Sequence, residues 1–411
     1  MDRGGLNRRG PIPCQNGNRN FIRSDQDPMK IRLFLMLALA AAGASASPHE
    51  RTLANGLRII VQEDRRAPTA VHMVWYRAGS MDERDGTSGV AHVLEHMMFK
   101  GTKNLGPGEF NKRVAAAGGR DNAFTSHDYT AYFQQVPAHR LGEMMALEAD
   151  RMANLALDPK EFEQEIKVVM EERRLRTEDN PQSLLHEKQM AAAFQAHPYR
   201  RPIIGWMNDL EHMTAEDARD WYRRWYAPNN AYVIVVGDVN KDEVFRLAER
   251  HYGRIRPRAL PVRKPQGEPA QVGVKRLTVK APAKLPYLSL AWKTPALRDL
   301  SNDREPYALE MLAGVLDGHE AARLAKHVVR GSRIAVSAAA HYEAAVRGEA
   351  LFVVSGTPAE GRSVAELEAA LRAEIARVAE EGVGAEELER VRTQLIAAQV
   401  YTRDSMMAQA M

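Results

Sequence analysis

Between Ser88 and Phe99 the chain reads S-G-V-A-H-V-L-E-H-M-M-F, with His92 and His96 four apart and Glu95 between them. At about 100° per helical residue, His96 falls about 40° from His92 and Glu95 about 60° to the other side, so all three side chains share one face. Two neutral imidazoles supply half of the tetrahedral shell of a borderline-soft cation such as Zn²⁺. A carboxylate between them reaches a water at that ion as its base. The spacing H-x-x-E-H therefore predicts metal-assisted hydrolysis on a helix.

Such a site needs a third protein ligand. Glu161 to Arg176 (E-F-E-Q-E-I-K-V-V-M-E-E-R-R-L-R) has Ile166, Val169 and Met170 at helical spacing with acids beside them. Glu165 and Glu172 lie seven apart and share a face, whereas Glu171 is turned about 100° from Glu172. Only one of the adjacent pair can point with Glu165 to the apolar side, and Glu172 is the expected ligand.

These residues are joined by Gly118-Gly119, Asn122-Ala123-Phe124-Thr125, Tyr129-Thr130-Ala131-Tyr132 and Glu178-Asp179-Asn180-Pro181. Together they resemble the pitrilysin/insulinase family of zinc peptidases, and in particular its branch of short subunits similar to mitochondrial processing peptidase beta. The resemblance runs from about Leu53 onward. It implies an endopeptidase with one Zn²⁺ per chain on His92, His96 and Glu172, with Glu95 as general base. Glu165 would steady the site from behind the ligands. The stretch Asn122-Ala123-Phe124 matches the family's edge strand, against which a peptide substrate adds by backbone hydrogen bonds. The other histidines, among them His72, His127, His197, His251 and His319, have no partner at ligand spacing and read as structural or surface residues.

The elements that must hold these groups alternate in type. Strands are expected at Arg58 to Gln62 and Val71 to Tyr76, with Thr87 or Ser88 capping the metal helix. A helix from Glu109 ends at Gly118-Gly119, and strands Ala123 to Ser126 and Thr130 to Val136 form a hairpin around His127-Asp128. Helices follow from about Arg140 to Leu155 and through the acidic segment to near Pro181. A helix starts at Thr214, a buried strand spans Ala231 to Gly237 and a last helix runs from Glu243 to Tyr252. Strands in pairs and helices in runs indicate an α+β fold.

Prolines at 257, 261, 265 and 269 mark a stiff linker over 256–270. Beyond it Leu288-Ser289-Leu290-Ala291-Trp292 echoes Val71-His72-Met73-Val74-Trp75. Seventeen residues past each tryptophan stand His92 and Leu309, and the same offset sets Leu312 against Glu95 and Ala313 against His96. The reading is two homologous domains, each a mostly antiparallel sheet packed with helices, facing each other around a chamber. Residues 47–255 are the catalytic copy and 271–411 an inactive one. Only 119 residues follow Trp292, so about 60 residues of the second copy are expected beyond Met411 if the halves match.

In the long single-chain relatives the resemblance implies an Arg and, some seven residues on, a Tyr from the second half that grip the substrate. Here Arg330 or Arg333 could be the arginine, but Val336 stands where the tyrosine belongs. The expected partner is a homologous metal-less subunit that supplies the donor in a heterodimer. A homodimer in which Tyr342 serves is the alternative.

Residues 1–28 hold Cys14, the sole cysteine, and five Arg against three Asp without apolar periodicity, which reads as a disordered extension. Met29-Lys30-Ile31-Arg32, the apolar run Leu33 to Gly43 and Ala44-Ser45-Ala46 then form a signal peptide over 29–46. The apolar run is short of the about 20 residues a membrane span needs. These two segments carry the whole formal charge of +4, so the remainder is near neutral, and no Lys/Arg stripe with interleaved aromatics points to nucleic acid. No disulfide is available after cleavage, and some 365 residues can bury two cores without one. The protein is expected in the periplasm or secreted. Exported material should begin near Ser47, and an N-terminal peptide from residues 1–46 in its mass spectrum contradicts this.

Overall fold

A computed structural model describes residues 47–411; the extension and the signal segment lie outside the described residues. The first domain is built on β3 (Thr69–Tyr76, T-A-V-H-M-V-W-Y), whose β-branched and aromatic residues are buried on both faces. Around it stand β1 (His49–Thr52), β2 (Arg58–Glu63), β4 (Arg120–Thr125), β5 (Thr130–Pro137) and β6 (Ala231–Gly237), in the order β1-β2-β6-β3-β5-β4. β2 and β6 run parallel and the other neighbours antiparallel. β4 is thus an edge, and among the described residues no strand pairs with its outer side.

The helices of this domain are α1 (Val90–Met97), α2 (Glu109–Ala116), α3 (Leu141–Asn154), α4 (Pro159–Arg173), α5 (Pro181–Ala193), α6 (Met207–His212), α7 (Ala215–Trp225) and α8 (Lys241–Tyr252), and all but α5 place buried apolar residues in the cores against one face of the sheet. Their apolar stripes meet the sheet in a core that includes Val93, Leu94, Met97, Tyr132, Trp221 and Val233. On α3, Glu148 and Arg151 are fully buried as a bidentate pair with both contacts at 2.5 Å, and Gln134 of β5 donates to the same carboxylate at 2.6 Å. The Arg151 guanidinium also lies 4.1–5.0 Å from the ring centroids of Phe99, Phe110 and Tyr132, fixing the segment just after α1.

The expected capping of α1 by Thr87 or Ser88 does not occur. Gly89 is the N-cap, at φ +89°, and the Ser88 hydroxyl instead donates to Asp209 at 2.5 Å. Glu83 takes the capping role, accepting from the Gly89 and Ala91 amides at 2.9 Å each. Gly205, also at φ +89°, crosses so close that a Cβ there would lie 2.4 Å from the Ser88 carbonyl. Backbone-to-backbone contact at this distance leaves no room for an ordinary side chain. Elsewhere the expected elements form within a few residues of their predicted bounds. Pro181, expected as a stop, instead begins α5, because Asn180 caps it by accepting from Gln182 and Ser183. The structure also adds β1 and α6, which the sequence pattern does not announce.

Residues 253–287 form no helix or strand, a longer connection than the proline pattern indicates. The second domain then places β7 (Leu288–Thr294), β8 (Ala335–Tyr342) and β9 (Ala350–Pro358) in the antiparallel order β7-β9-β8, with α9 (Glu305–Asp317), α10 (Val364–Glu381) and α11 (Ala385–Thr402). This repeats the first domain's β3-β5-β4 arrangement with a helix between first and second strand. Leu309, Leu312 and Ala313 lie half-buried against the second core. The domains touch through Asp128, which accepts from the Arg347 amide at 2.9 Å and from the Tyr199 hydroxyl at 2.8 Å; that hydroxyl accepts in turn from the Gly348 amide. A short last helix, α12 (Met406–Ala410), rests on the other face of the first sheet against Val71, Met73 and Val236. Among the described residues no helix is long and apolar enough to cross a membrane.

Candidate active site

His92, Glu95 and His96 occupy successive turns of α1, and α4 crosses beside them. His92, His96 and Glu172 each offer one ligand atom within 4.8 Å of the others. The His96 Nε2 lies 3.3 Å from a Glu172 oxygen and the His92 Nε2 3.8 Å from the same atom. Two imidazole nitrogens and a carboxylate oxygen converging in this way fit the donor set of a Zn²⁺ that keeps a further position open. Of the adjacent acids, Glu172 faces the imidazoles with its side chain 15% exposed. Glu171 turns to solvent at 59% and pairs with Arg174.

Behind the imidazoles, Glu165 bonds the His96 Nδ1 at 2.9 Å and the Lys100 ammonium at 2.5 Å. The contact holds the ring so that Nε2 points at Glu172. Burial disfavours a charged His96, but its hydrogen bonds to Glu165 and Glu172 outweigh that and raise its pKa to about 9. His92 has no such partner: its buried Nδ1 is unpaired, and burial together with the neighbouring His96 pushes it down to about 4. Glu95 is buried, and desolvation raises its pKa. One of its oxygens accepts from the Thr125 hydroxyl at 2.5 Å, which ties it to the end of β4.

The site opens into a cavity of about 890 Å³ lined by α1, by Asn122, Ala123, Phe124 and Thr125 of β4, and by one face of α5. The three residues expected to meet substrate thus line the same cavity as His92, His96 and Glu172. Asp150 of α3 binds Thr102 and Asn104 and stands apart from the site. The sequence does not single out Thr125 and Lys100, because their roles come from contacts with Glu95 and Glu165 far away in the chain, nor Arg176, which pairs with Glu172 one helical turn before it. His127, expected to be structural, lines the cavity with its Nδ1 on the Ser80 hydroxyl at 2.7 Å. His186 does so from α5, the helix that begins where the sequence pattern suggests a stop.

The family profile described as insulinase (peptidase family M16) matches residues 58–206, and that described as peptidase M16 inactive domain matches residues 212–395. A Helicobacter pylori protein named zinc protease PqqE is 36% identical over 314 residues, covering 75% of this chain and 69% of that one. The chain belongs to the insulinase family, M16. A crystal structure of a protease from Helicobacter pylori superimposes on this M16 chain with a TM-score of 0.84 at 31% identity, covering 89% and 87% of the two chains. The periplasmic protease PqqL from Escherichia coli gives 0.71 at 22% identity over 89% of this chain and 41% of that one, a likeness of fold. The inactive-domain match begins at residue 212, ahead of the proline-rich connection, so it includes β6 of the first sheet.

The orientation of the adjacent acids has a measurable consequence. If Glu172 is one of three protein ligands, Glu172→Ala should lower zinc content and affinity on the order of a hundredfold or more, while Glu171→Ala should leave both unchanged. Zinc titration against a competing chelator reads this, and the opposite ranking overturns the face assignment.

Proposed function

We propose that this M16 chain is a zinc-dependent endopeptidase that hydrolyses peptides or unfolded protein segments laid beside β4 as an added strand. The observation that carries the reading is the convergence of His92, His96 and Glu172 within 4.8 Å, next to a strand edge unpaired among the described residues. In this reading those three residues hold the metal. Bound there, Zn²⁺ supplies Lewis acidity and lowers the pKa of water to about 7.

The chain's own groups do the rest. Thr125 holds one oxygen of Glu95, leaving the other to take a proton as water attacks a substrate carbonyl and to pass it to the leaving amine. Glu165 keeps the His96 ring in one orientation. Backbone groups on the outer side of β4, which no strand among the described residues pairs, register the peptide backbone, with the Ala123 amide first exchanging its bond to Asn122 Oδ1; binding is then tolerant of sequence in the main chain and selective in the pockets. A second reading, a non-catalytic scaffold subunit, conflicts with the complete set of candidate ligands and base. The signal-like segment, and the periplasmic location named for the Escherichia coli relative, support export to the periplasm or beyond.

Two features support the borrowed donor in a heterodimer with a metal-less homologue. Val336 is 54% exposed and has no hydrogen-bonding group to offer. Tyr342, the homodimer alternative, is buried with its hydroxyl on the Pro295 carbonyl at 2.5 Å. Removing a single oxyanion donor costs about 3 kcal/mol, on the order of a hundredfold in rate.

Glu95→Gln should abolish peptide hydrolysis while zinc stays bound; simultaneous loss of metal and activity, read by metal analysis beside the assay, removes Glu95 from the role of base. The isolated chain should turn over peptides slowly and gain about a hundredfold with its homologous partner. A rate unchanged by any such subunit would sink the heterodimer.

A further inference from the structure

We infer that the α5 wall of the active-site cavity makes this chain select uncharged substrate side chains next to the scissile bond and reject Lys and Arg. This rests on the peptidase reading above and names the substrate class of the same site.

A peptide added to β4 sends alternate side chains to the helix-bearing face of the sheet, the face where Thr125 meets Glu95. On that face the cavity continues to α5. There Gln182, His186 and Met190, spaced four apart, line one side of it, so they form a single stripe along the helix. None carries a carboxylate. On the remaining wall Ile203 and Ile204 are apolar.

The acids that do line the cavity each have a partner. Glu95 accepts from Thr125 through one oxygen, and its other oxygen is the one assigned above to the catalytic proton. Glu172 meets His96 at 3.3 Å and Arg176 at 2.7 Å. Glu187 is buried and bonded to Arg173 at 2.7 Å and to Lys188 at 3.2 Å. The cations are distributed differently. Arg201 is buried on Asp85 and the Glu83 carbonyl, but the Arg176 side chain is 76% exposed at the rim.

An incoming ammonium or guanidinium would therefore give up water, find on the α5 wall only a Glu187 already paired with Arg173, and approach the Arg176 guanidinium. A leucine gains apolar contact with Met190 and Ile204, and a glutamine can exchange hydrogen bonds with Gln182 and His186. The selectivity is thus built from what the wall withholds as much as from what it offers.

A set of quenched peptides, identical except for Leu, Gln, Lys or Arg at one position near the cleavage point, tests this on the zinc-loaded chain. The same peptides are titrated onto Glu95→Gln by fluorescence anisotropy, so that binding is read without hydrolysis. Leu and Gln peptides should be cleaved and bound about tenfold better than Lys and Arg peptides. His186→Glu should reverse that order. So should Gln182→Glu, which sits in the first turn of α5 where an acid suits the helix dipole and so keeps the test open should the first variant misfold. Equal binding of Arg and Leu peptides, or an unchanged order in the two variants, overturns the inference while cleavage leaves the peptidase reading intact. Binding with the expected order but no cleavage by the wild-type chain supports the selectivity and overturns the peptidase reading, and absence of any binding removes both.

Discussion

The structure turns on a crowding of charge: Glu95, Glu165 and Glu172 stand around two imidazoles, with all five side chains largely withdrawn from solvent. Unpaired carboxylates at such a place would repel one another and open the contact between α1 and α4. What holds them is a division of partners. Glu165 is satisfied from the side away from the cavity by His96 and Lys100, Glu95 by Thr125, and Glu172 by His96 and Arg176. Because Glu165 occupies the His96 Nδ1, the remaining nitrogen can only face the cavity. One ion pair behind the site therefore sets the direction of a donor in front of it.

The frame around that cluster is equally specific. α1 is entered through a Gly89–Gly205 contact that a side chain would prevent, and its free amides end on Glu83. At the far end of α4, Arg173, the residue after Glu172, donates to Glu187 of α5 and to the Gly205 carbonyl at 2.7 and 2.8 Å. The entry to α1, the end of α4 that carries Glu172 and the α5 wall of the cavity thus share one buried arginine. Breaking it would leave a buried acid without its partner and loosen all three elements together.

Much of this is legible in the sequence because helical and strand periodicities are local. The spacing of His92, Glu95 and His96 fixes their common face, and the phase of Glu172 with Glu165 separates it from Glu171. The β4–β5 hairpin follows from its polar turn. Helix entry signals mislead where side chains have competing partners: Ser88 has the form of a cap, yet Asp209, 121 residues away, claims its hydroxyl. Asn180-Pro181 has the look of an ending, although the same pair is a good beginning, an acceptor followed by a residue needing no amide partner. Thr125, Lys100 and His186 carry no local signal. Their parts in the site come from which strands and helices are adjacent, and that is settled by the core.

The comparison of the two domains shows what chemistry demands of a helix. Their sheets share the order β3-β5-β4 and β7-β9-β8, and α1 and α9 follow corresponding strands. α9 runs 13 residues, begins with Pro306 in its first turn and sets Leu309, Leu312 and Ala313 against its core. α1 has only 8 residues and places two imidazoles and a carboxylate where α9 has apolar groups. A helix that short is marginal by itself, and it has exchanged part of its apolar face for polar atoms. Glu83, the glycine crossing and the Glu165–Lys100 pair are then what an inward-facing polar helix requires in place of hydrophobic contact. The second domain, with leucine and alanine at those positions, can hold its helix by packing alone.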